Sequence, residues 1–404
     1  MNKFIPIVIG LGYVGLPLFL RLSKRYQTLG FDVNSKRILQ LKNKIDSNKE
    51  FSAKELNLKN NSYFVNNLNN LKNIQEKSFF IITVPTPVLK NKKPDLRHLI
   101  KACKLITKVL KDGDIVFFES TVYPGLTRIL RNKYLGKKDI YIGYSPERIN
   151  PGDKKNTIKT ITKIVAYDKC PKQVERIIVN VYKTISSKII FSKSIENAEM
   201  SKVIENIQRD INIAFMNEIF MVSKNLDLDF TEIIKLAKTK WNFLNFSPGL
   251  VGGHCLPIDP YYLYYLAKKN KYNAQFMLAG RRVNDELADY IKKKIVDIIK
   301  SKNLKKLLIL GVSYKANVAD LRSSLALKIF KDLREKFPNK IFAYDPIINK
   351  TDAKRLKIIS KIKLINNYDL IVPLTNHKKI KKLFFEHYKK NKLKYLDYFN
   401  HFNK

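Results

Sequence analysis

Phe4-Ile5-Pro6-Ile7-Val8-Ile9-Gly10-Leu11-Gly12-Tyr13-Val14-Gly15 is the stretch that decides how the front of this chain folds. Six apolar residues read as a buried strand, the spaced glycines as a tight turn, and the residues through about Lys24 as a helix. The run from Phe4 to Leu20 imitates the core of a secretory signal, but its three glycines and the lack of a small-residue cleavage site argue against one. Strand, GxGxxG and helix in that order are the context a dinucleotide fingerprint requires. Gly10 permits the turn, Gly12 lets a pyrophosphate approach the backbone, and Gly15 lets helix and strand pack closely, with Tyr13 and Val14 completing the loop. Asp32 stands about twenty residues on, at the end of the next expected strand, where a carboxylate accepts from ribose hydroxyls and repels a 2′-phosphate. NAD is therefore expected over NADP, with Arg37 near the adenosine side.

Further strands are expected at Gln27-Asp32, Phe79-Val84, Ile115-Glu119, Ile140-Tyr144 and Lys163-Ala166, with helices between most of them. That rhythm is a doubly wound parallel sheet. Two strand ends, Thr83-Val84-Pro85-Thr86-Pro87 and Glu119-Ser120-Thr121-Val122-Tyr123-Pro124-Gly125, carry hydroxyls to the carboxyl edge where such folds bind ligands, and Thr86 and Thr121 are the expected cofactor contacts. After Ile189-Phe191 the period becomes helical, from Asn197 to Lys224 and again from Thr231 to Lys238. A second α/β set follows, with strands Lys306-Leu310, Ile341-Asp345 and Leu370-Leu374. The expected fold is α/β: an N-terminal Rossmann domain (1–195), a central all-helical segment (196–300) and a C-terminal Rossmann-like domain (301–404). The end from Tyr388, rich in lysine, asparagine and aromatics, is expected to be poorly ordered.

A chain of 404 residues that is 45% hydrophobic can bury more than one core. No later stretch is apolar enough to cross a bilayer, so a cytoplasmic protein without membrane insertion is expected. The formal charge of +42 suggests nucleic acid, but the lysines are scattered and no zinc-finger or RNA-binding spacing accompanies them. Specific nucleic-acid binding is not expected, though the field would attract anionic nucleotides. No metal site is expected. The three cysteines lie far apart, as in a reducing compartment. Cys103, on an amphipathic helix (Leu96 to Leu110), and Cys170, before Pro171, read as structural. Cys255 differs. It stands in Gly252-Gly253-His254-Cys255-Leu256-Pro257-Ile258-Asp259-Pro260, where Asp259 and Pro260 read as N-cap and first residue of a helix to Lys269. A positive helix end favours the thiolate, the form that attacks a carbonyl.

The chain resembles the UDP-glucose/GDP-mannose dehydrogenase family over essentially its whole length. The motifs are GLGYVGLPL at Gly10, SPERINPGD at Ser145, KVIEN at Lys202, KWNF at Lys240, GGHC at Gly252, AGRRVND at Ala279 and GVSYK at Gly311. The runs at Ser145, Glu205 and Lys240 most resemble enzymes acting on UDP-N-acetylglucosamine or UDP-N-acetylgalactosamine. Pro151 stands where the UDP-glucose branch carries a second glutamate. The Ser313-Tyr314-Lys315-Ala316-Asn317 run departs from the acetylhexosamine pattern, so UDP-N-acetylmannosamine and UDP-glucose stay open as alternatives.

The resemblance implies a four-electron oxidation at C6 for surface polysaccharide synthesis, with Cys255 as nucleophile, Lys202 and Asn206 at the oxyanion, Asp259 as base through water, and Glu147 orienting the hydrolytic water. Without the family, Glu147 reads as an exposed loop acid. Arg148, Ile149, Arg209 and Gly252 match contacts to the nucleotide sugar, Gly252 by leaving backbone free to approach it. Tyr314 and Lys315 match uridine and phosphate contacts, and Arg322 a position near the cofactor. Arg281 or Arg282 is expected in a site across a homodimer paired through the long middle helix, with Arg282 the preferred substrate contact. An ordinary two-electron hydroxyacid dehydrogenase would need no thiol, and a silent nucleotide-sugar binding protein would have no use for Cys255, Lys202 and Asp259 together.

Overall fold

The structure is a computed structural model that describes residues 4–48, 50–149, 156–253, 256–359, 362, 365–391, 394–399 and 401. The chain forms two compact units, Met1–Glu205 with Tyr261–Lys271, and Asn206–Pro260 with Tyr272–Lys404.

The first unit contains β1 (Phe4–Ile9), α1 (Gly15–Leu22), β2 (Leu29–Phe31), α2 (Ser35–Lys42), β3 (Tyr63–Val65), β4 (Lys77–Ile82), α3 (Arg97–Thr107), β5 (Ile115–Phe118), α4 (Leu126–Tyr134), β6 (Tyr141–Tyr144), β7 (Lys163–Tyr167), α5 (Lys172–Ile185) and β8 (Ile189–Phe191). The strands form one sheet in the order β3-β2-β1-β4-β5-β6-β7-β8. Inner strands such as β4 and β5 are buried along nearly their whole length, which explains why they read as continuous apolar runs rather than alternating ones. Phe79, Phe117 and Tyr182 stack in the core, with centroids 5.3 Å and 5.2 Å apart along that series.

Two expectations need correction. The sheet is not wholly parallel, because β7 runs antiparallel to β6. The described residues between them form no helix, and without a crossover helix the chain returns in the opposite direction. The edge strand β3 was not expected; its three residues lie among asparagines, and only Phe64 is buried.

Helix α6 (Ile195–Asn225) enters the second unit at Asn206. Next along the chain come α7 (Phe230–Ala237), α8 (Asp259–Lys269), which belongs to the first unit from Tyr261 on, and then, in the second unit, α9 (Gln275–Ser301), β9 (Leu307–Leu310), α10 (Leu325–Lys336), β10 (Ile341–Tyr344), α11 (Lys350–Leu356), β11 (Leu370–Pro373) and α12 (Lys378–Asn391). The three strands are parallel in the order β10-β9-β11. Strand β9 is covered on both faces: Leu307 and Ile309 join a core with Met216, Phe220, Leu287 and Ile291, whereas Leu308 and Leu310 join one with Ile380 and Phe384. The helical middle and the C-terminal sheet therefore share a core. The expectation of a poorly ordered end is corrected where the chain is described, since Leu396, Tyr398 and Phe399 pack against that core and Leu396 N donates to Ile371 O at 2.9 Å. Among the described residues no helix is long and apolar enough to cross a membrane.

Candidate functional site

The glycine turn after β1 has three distinct local geometries. Gly10 has φ +96°, and the Thr83 hydroxyl braces it by donating to its carbonyl at 2.7 Å. A Cβ on Gly15 would lie 1.8 Å from Gly10 O, so only glycine lets α1 start this close to the turn. A Cβ on Gly12 would meet nothing within 4 Å. The space left at Gly12 suits a pyrophosphate against bare backbone, and the crevice fits NAD. Asp32, half-buried, accepts from Leu11 N and Asn34 N at 2.9 Å each, which ties the end of β2 to the turn. Tyr13 and Val14 are half-buried beside it.

Arg37 is not an outward-reaching cation. It is buried, with Nε donating to Leu11 O at 3.0 Å and Nη1 paired with Asp46 at 2.8 Å, and its Nη2 is buried without a partner. It braces the turn from behind. At the two neighbouring strand ends, Thr83 and Ser120 turn their hydroxyls onto backbone carbonyls, while Thr86 and Thr121 remain half-exposed.

Glu147 also departs from the loop reading: it is buried. Its Oε1 accepts from Arg148 N and Ile149 N, both at 2.7 Å, and its Oε2 from Lys163 Nζ at 3.0 Å. Lys163 reaches Glu119 Oε2 at 2.5 Å, and Tyr182 OH donates to Glu119 Oε1 at 3.0 Å. Burial pushes the Glu119 carboxyl up to about 7, against the pull of Lys163. Burial opposes the charge on Lys163, but the two carboxylates outweigh it and raise its pKa. Glu119, Lys163 and Tyr182 escaped the sequence reading. The one available signal was a lysine opening an otherwise apolar strand. Arg148 does not stand free for phosphate in this structure, because its guanidinium is forked on Glu205 at 2.7 Å and 3.2 Å.

Lys202 is buried on α6 in the first unit. Asn206 follows four residues later, in the second unit, where its Nδ2 donates to Asp259 Oδ2 at 2.5 Å. Asp259 is buried and is the first residue of α8, so the helix starts one residue earlier than expected. His254 and Cys255 lie outside the described residues. Gly252 and Gly253 are described, and their geometry corrects the reason for Gly252. Its missing Cβ makes room for Ser323 O, which would be 2.6 Å away, rather than leaving open backbone. Gly253 has φ +95°, and a Cβ there would sit 2.7 Å from the Tyr314 ring. The structure thus brings Gly252 and Gly253 against Tyr314 and Ser323 within the second unit.

Lys315 is half-buried, and Arg322 is paired with Asp320 at 2.7 Å. Arg209 and Arg282 are exposed. Arg281 is buried between Asp210 at 2.6 Å and Asp285 at 2.7 Å, a structural tie between α6 and α9. Burial pushes the Cys103 thiol up to about 12, as suits a structural cysteine.

Three sequence profiles of the UDP-glucose/GDP-mannose dehydrogenase family match in order: the NAD binding domain over residues 6–186, the central domain over 196–286 and the UDP binding domain over 308–404. The UDP-N-acetyl-D-glucosamine 6-dehydrogenase of Salmonella typhi is 40% identical over 93% of this chain and 90% of its own length. The enzyme of that name from Pseudomonas aeruginosa is 38% identical over 95% of this chain and 93% of its own. Among solved structures, the UDP-D-ManNAc dehydrogenase of Pyrococcus horikoshii superposes with a TM-score of 0.84 at 28% identity, covering 98% of this chain and 96% of that one. With the crevice fitting NAD and all three profiles in sequence, the chain belongs to the UDP-glucose/GDP-mannose dehydrogenase family and is an NAD-dependent UDP-sugar dehydrogenase.

Proposed function

We propose that this enzyme oxidises the C6 alcohol of a UDP-N-acetylhexosamine, UDP-N-acetylglucosamine or UDP-N-acetylgalactosamine, to the uronate for surface polysaccharide synthesis. The Gly10–Gly15 turn would hold NAD, each molecule of which would accept one hydride, so that two bound in succession would take the four electrons. In the first oxidation C6 gives up a hydride, and its hydroxyl proton passes through water to Asp259. Lys202 and Asn206 stabilise the oxyanion. The Cys255 thiolate adds to the aldehyde to form the oxyanion of a thiohemiacetal, and loss of the second hydride from that oxyanion leaves a thioester. In hydrolysis, water adds its hydroxide to the thioester carbon and its proton to Glu147, the C–S bond breaks, and sulfur departs as thiolate.

The observation that carries this reading is the bond from Asn206 to Asp259, which joins the KVIEN helix to the residue four past Cys255. Arg148, Ile149, Arg209, Tyr314 and Lys315 are assigned to the nucleotide sugar, and Asp32, Thr86, Thr121 and Arg322 to the cofactor, while Arg37 and Gly252 keep the bracing and packing roles described above. For Arg148 and Arg322 this requires exchange of Glu205 and Asp320 for ligand. The higher identity to the glucosamine relatives favours the gluco sugar. The likeness to the mannosamine enzyme supports the alternative, UDP-N-acetylmannosamine.

The working form proposed is a cytoplasmic homodimer with Arg282 at the partner's site, and with functional segments 1–195, 196–300 and 301–404. Phe215 and Val222, seven apart on one face of α6 and 54% and 46% exposed, support pairing through that helix. The test is a panel of UDP-hexoses in which NADH is counted per sugar consumed. Two NADH per acetylhexosamine is the expected result; one would overturn the thioester route. Cys255→Ser should bind NAD and sugar yet make no uronate, and uronate from that variant would remove the cysteine from the chemistry.

A further inference from the structure

Four ionisable side chains lie buried in one continuous chain of contacts at the carboxyl edge of the eight-stranded sheet: Tyr182, Glu119, Lys163 and Glu147. Only Glu147 has a role in the chemistry proposed above. The other three are brought to it by the topology. Glu119 follows β5 directly and Glu147 lies just past β6. Because β7 is antiparallel to β6, its first residue rather than its last reaches this edge, and that residue is Lys163. Had β7 been parallel, the lysine would sit at the opposite end of the sheet.

Burying an ammonium between two carboxylates is a costly way to fill space, since apolar residues of similar volume generally stabilise a core at least as well. What the arrangement does supply is direction. Two backbone N–H groups hold Glu147 Oε1 from one side and the Lys163 ammonium holds Oε2 from the other. Together they fix the rotation of the carboxyl plane. Glu119 in turn fixes Lys163, and the Tyr182 hydroxyl fixes Glu119.

We propose that Lys163 and Glu119 are positioning residues for thioester hydrolysis: Lys163 holds the Glu147 carboxyl at the angle from which it takes the proton of the attacking water, and Glu119 holds Lys163. This rests on the role given to Glu147 under Proposed function. The groups facing Glu119 are Lys163, Glu147 and Tyr182, and burial places its own titration at about 7. Below that pH a protonated Glu119 leaves the lysine to Glu147; above it the ammonium is shared between two carboxylates. Hydrolysis should therefore show an inflection close to neutrality that belongs to Glu119.

The experiment compares Glu119→Gln, Lys163→Arg and Glu147→Gln in the full-length enzyme, using UDP-N-acetylglucosamine and NAD. It reads the pre-steady-state NADH burst, kcat, KM, the pH profile, and the intact mass of the protein during turnover. In Glu119→Gln the burst and kcat/KM should stay within about twofold of wild type, while kcat and KM fall together about 10- to 100-fold, the scale of a misplaced reacting group in the step that consumes the thioester. A protein species heavier by the sugar nucleotide acyl group should accumulate, and the neutral inflection should vanish. Lys163→Arg keeps the charge with altered reach, and should accumulate the same adduct should Glu119→Gln fail to fold. A normal kcat and pH profile in folded Glu119→Gln, or parallel losses of burst and kcat/KM without adduct, would overturn the proposal. If Glu147→Gln accumulates adduct and the other two variants do not, the positioning role alone is lost. If Glu147→Gln does not, the role of Glu147 goes as well.

Discussion

Alanine at Gly12 and alanine at Gly15 add the same methyl group three residues apart, and the structure assigns them opposite consequences. At Gly15 the new Cβ would lie 1.8 Å from Gly10 O, in the turn that starts α1, and 2.4 Å from Thr83 Oγ1, which follows β4 and donates to that turn. Neither atom can yield without moving helix from strand, so the cost falls at the upper end of overpacking, about 3 kcal/mol. For a unit of this size that lowers Tm by roughly 6–12 °C. At Gly12 the methyl meets nothing and the backbone does not need positive φ, so the apo protein should be as stable as wild type or gain about 0.5 kcal/mol. The methyl instead occupies the approach assigned to the pyrophosphate. A clash of about 1–3 kcal/mol there raises the Kd for NAD roughly 5- to 150-fold, leaving UDP-sugar binding unchanged. Thermal unfolding of the apo proteins and calorimetric titration with NAD separate the two effects. A Gly12→Ala enzyme with wild-type NAD affinity, or one as destabilised as Gly15→Ala, would refute this reading of the crevice.

Gly253→Ala places a Cβ at φ +95° and 2.7 Å from the Tyr314 ring, and should raise KM for the UDP-sugar at least tenfold with little change in NAD affinity; equal effects on both ligands would count against it. Asp210→Asn leaves the buried Arg281 with only the exposed Asp285 as a charged partner, and chemical denaturation should report a loss of about 3 kcal/mol. Glu199, buried on α6, caps the start of α4 through Gly125 N and Thr127 N, and burial raises its pKa from 4.5 to about 7. Between those values the unfolded chain has lost a proton that the folded chain keeps, so stability should fall as pH rises through this window and level off above it. Glu199→Gln should flatten that slope by roughly 3 kcal/mol across the range, and an unchanged slope would show that the group titrates normally.

Much of this architecture could be read from the chain because local pattern and tertiary environment agree. Strand β1, the glycine turn and Asp32 fall where expected, and the three glycine geometries match the three duties assigned to them. The sequence reading failed where a side chain's role depends on a distant segment. Arg37 was expected near the adenosine side of the cofactor, but Asp46 and the Leu11 carbonyl draw it inward. Glu147 looked like a loop acid because nothing near it in sequence reveals Lys163, which arrives only through the antiparallel turn of β7. Gly252 was read as an approach for ligand, whereas a backbone carbonyl seventy-one residues away in sequence, that of Ser323, occupies the space. Periodicity reports burial and element type; it carries no record of which buried charge meets which.

The two α/β units use one device to different ends. In each, a glycine of positive φ follows the first strand and donates its N–H to the end of the second strand at 2.8 Å, Gly10 to Phe31 O and Gly311 to Tyr344 O. In each, an aspartate follows the second strand and accepts from the turn: Asp32 from Leu11 N, Asp345 from Val312 N and Ser313 N. The likeness ends at the next position. Where the first unit has the open Gly12, the second has Ser313, whose hydroxyl meets His377 Nε2 at 2.9 Å. His377 accepts from Asn317 N at Nδ1, which leaves its proton on Nε2, 3.2 Å from Asp345 Oδ2. The imidazole therefore seals the carboxylate that would read a ribose, and the Asp345 side chain has no accessible surface. The turn after β9 thus lacks both the open glycine position and the accessible carboxylate that mark the NAD crevice after β1. With a single NAD crevice among the described residues and four electrons to remove by the proposed route, the reduced cofactor has to leave and be replaced while the sugar stays bound. A covalent link to Cys255 would retain the half-oxidised sugar during that exchange.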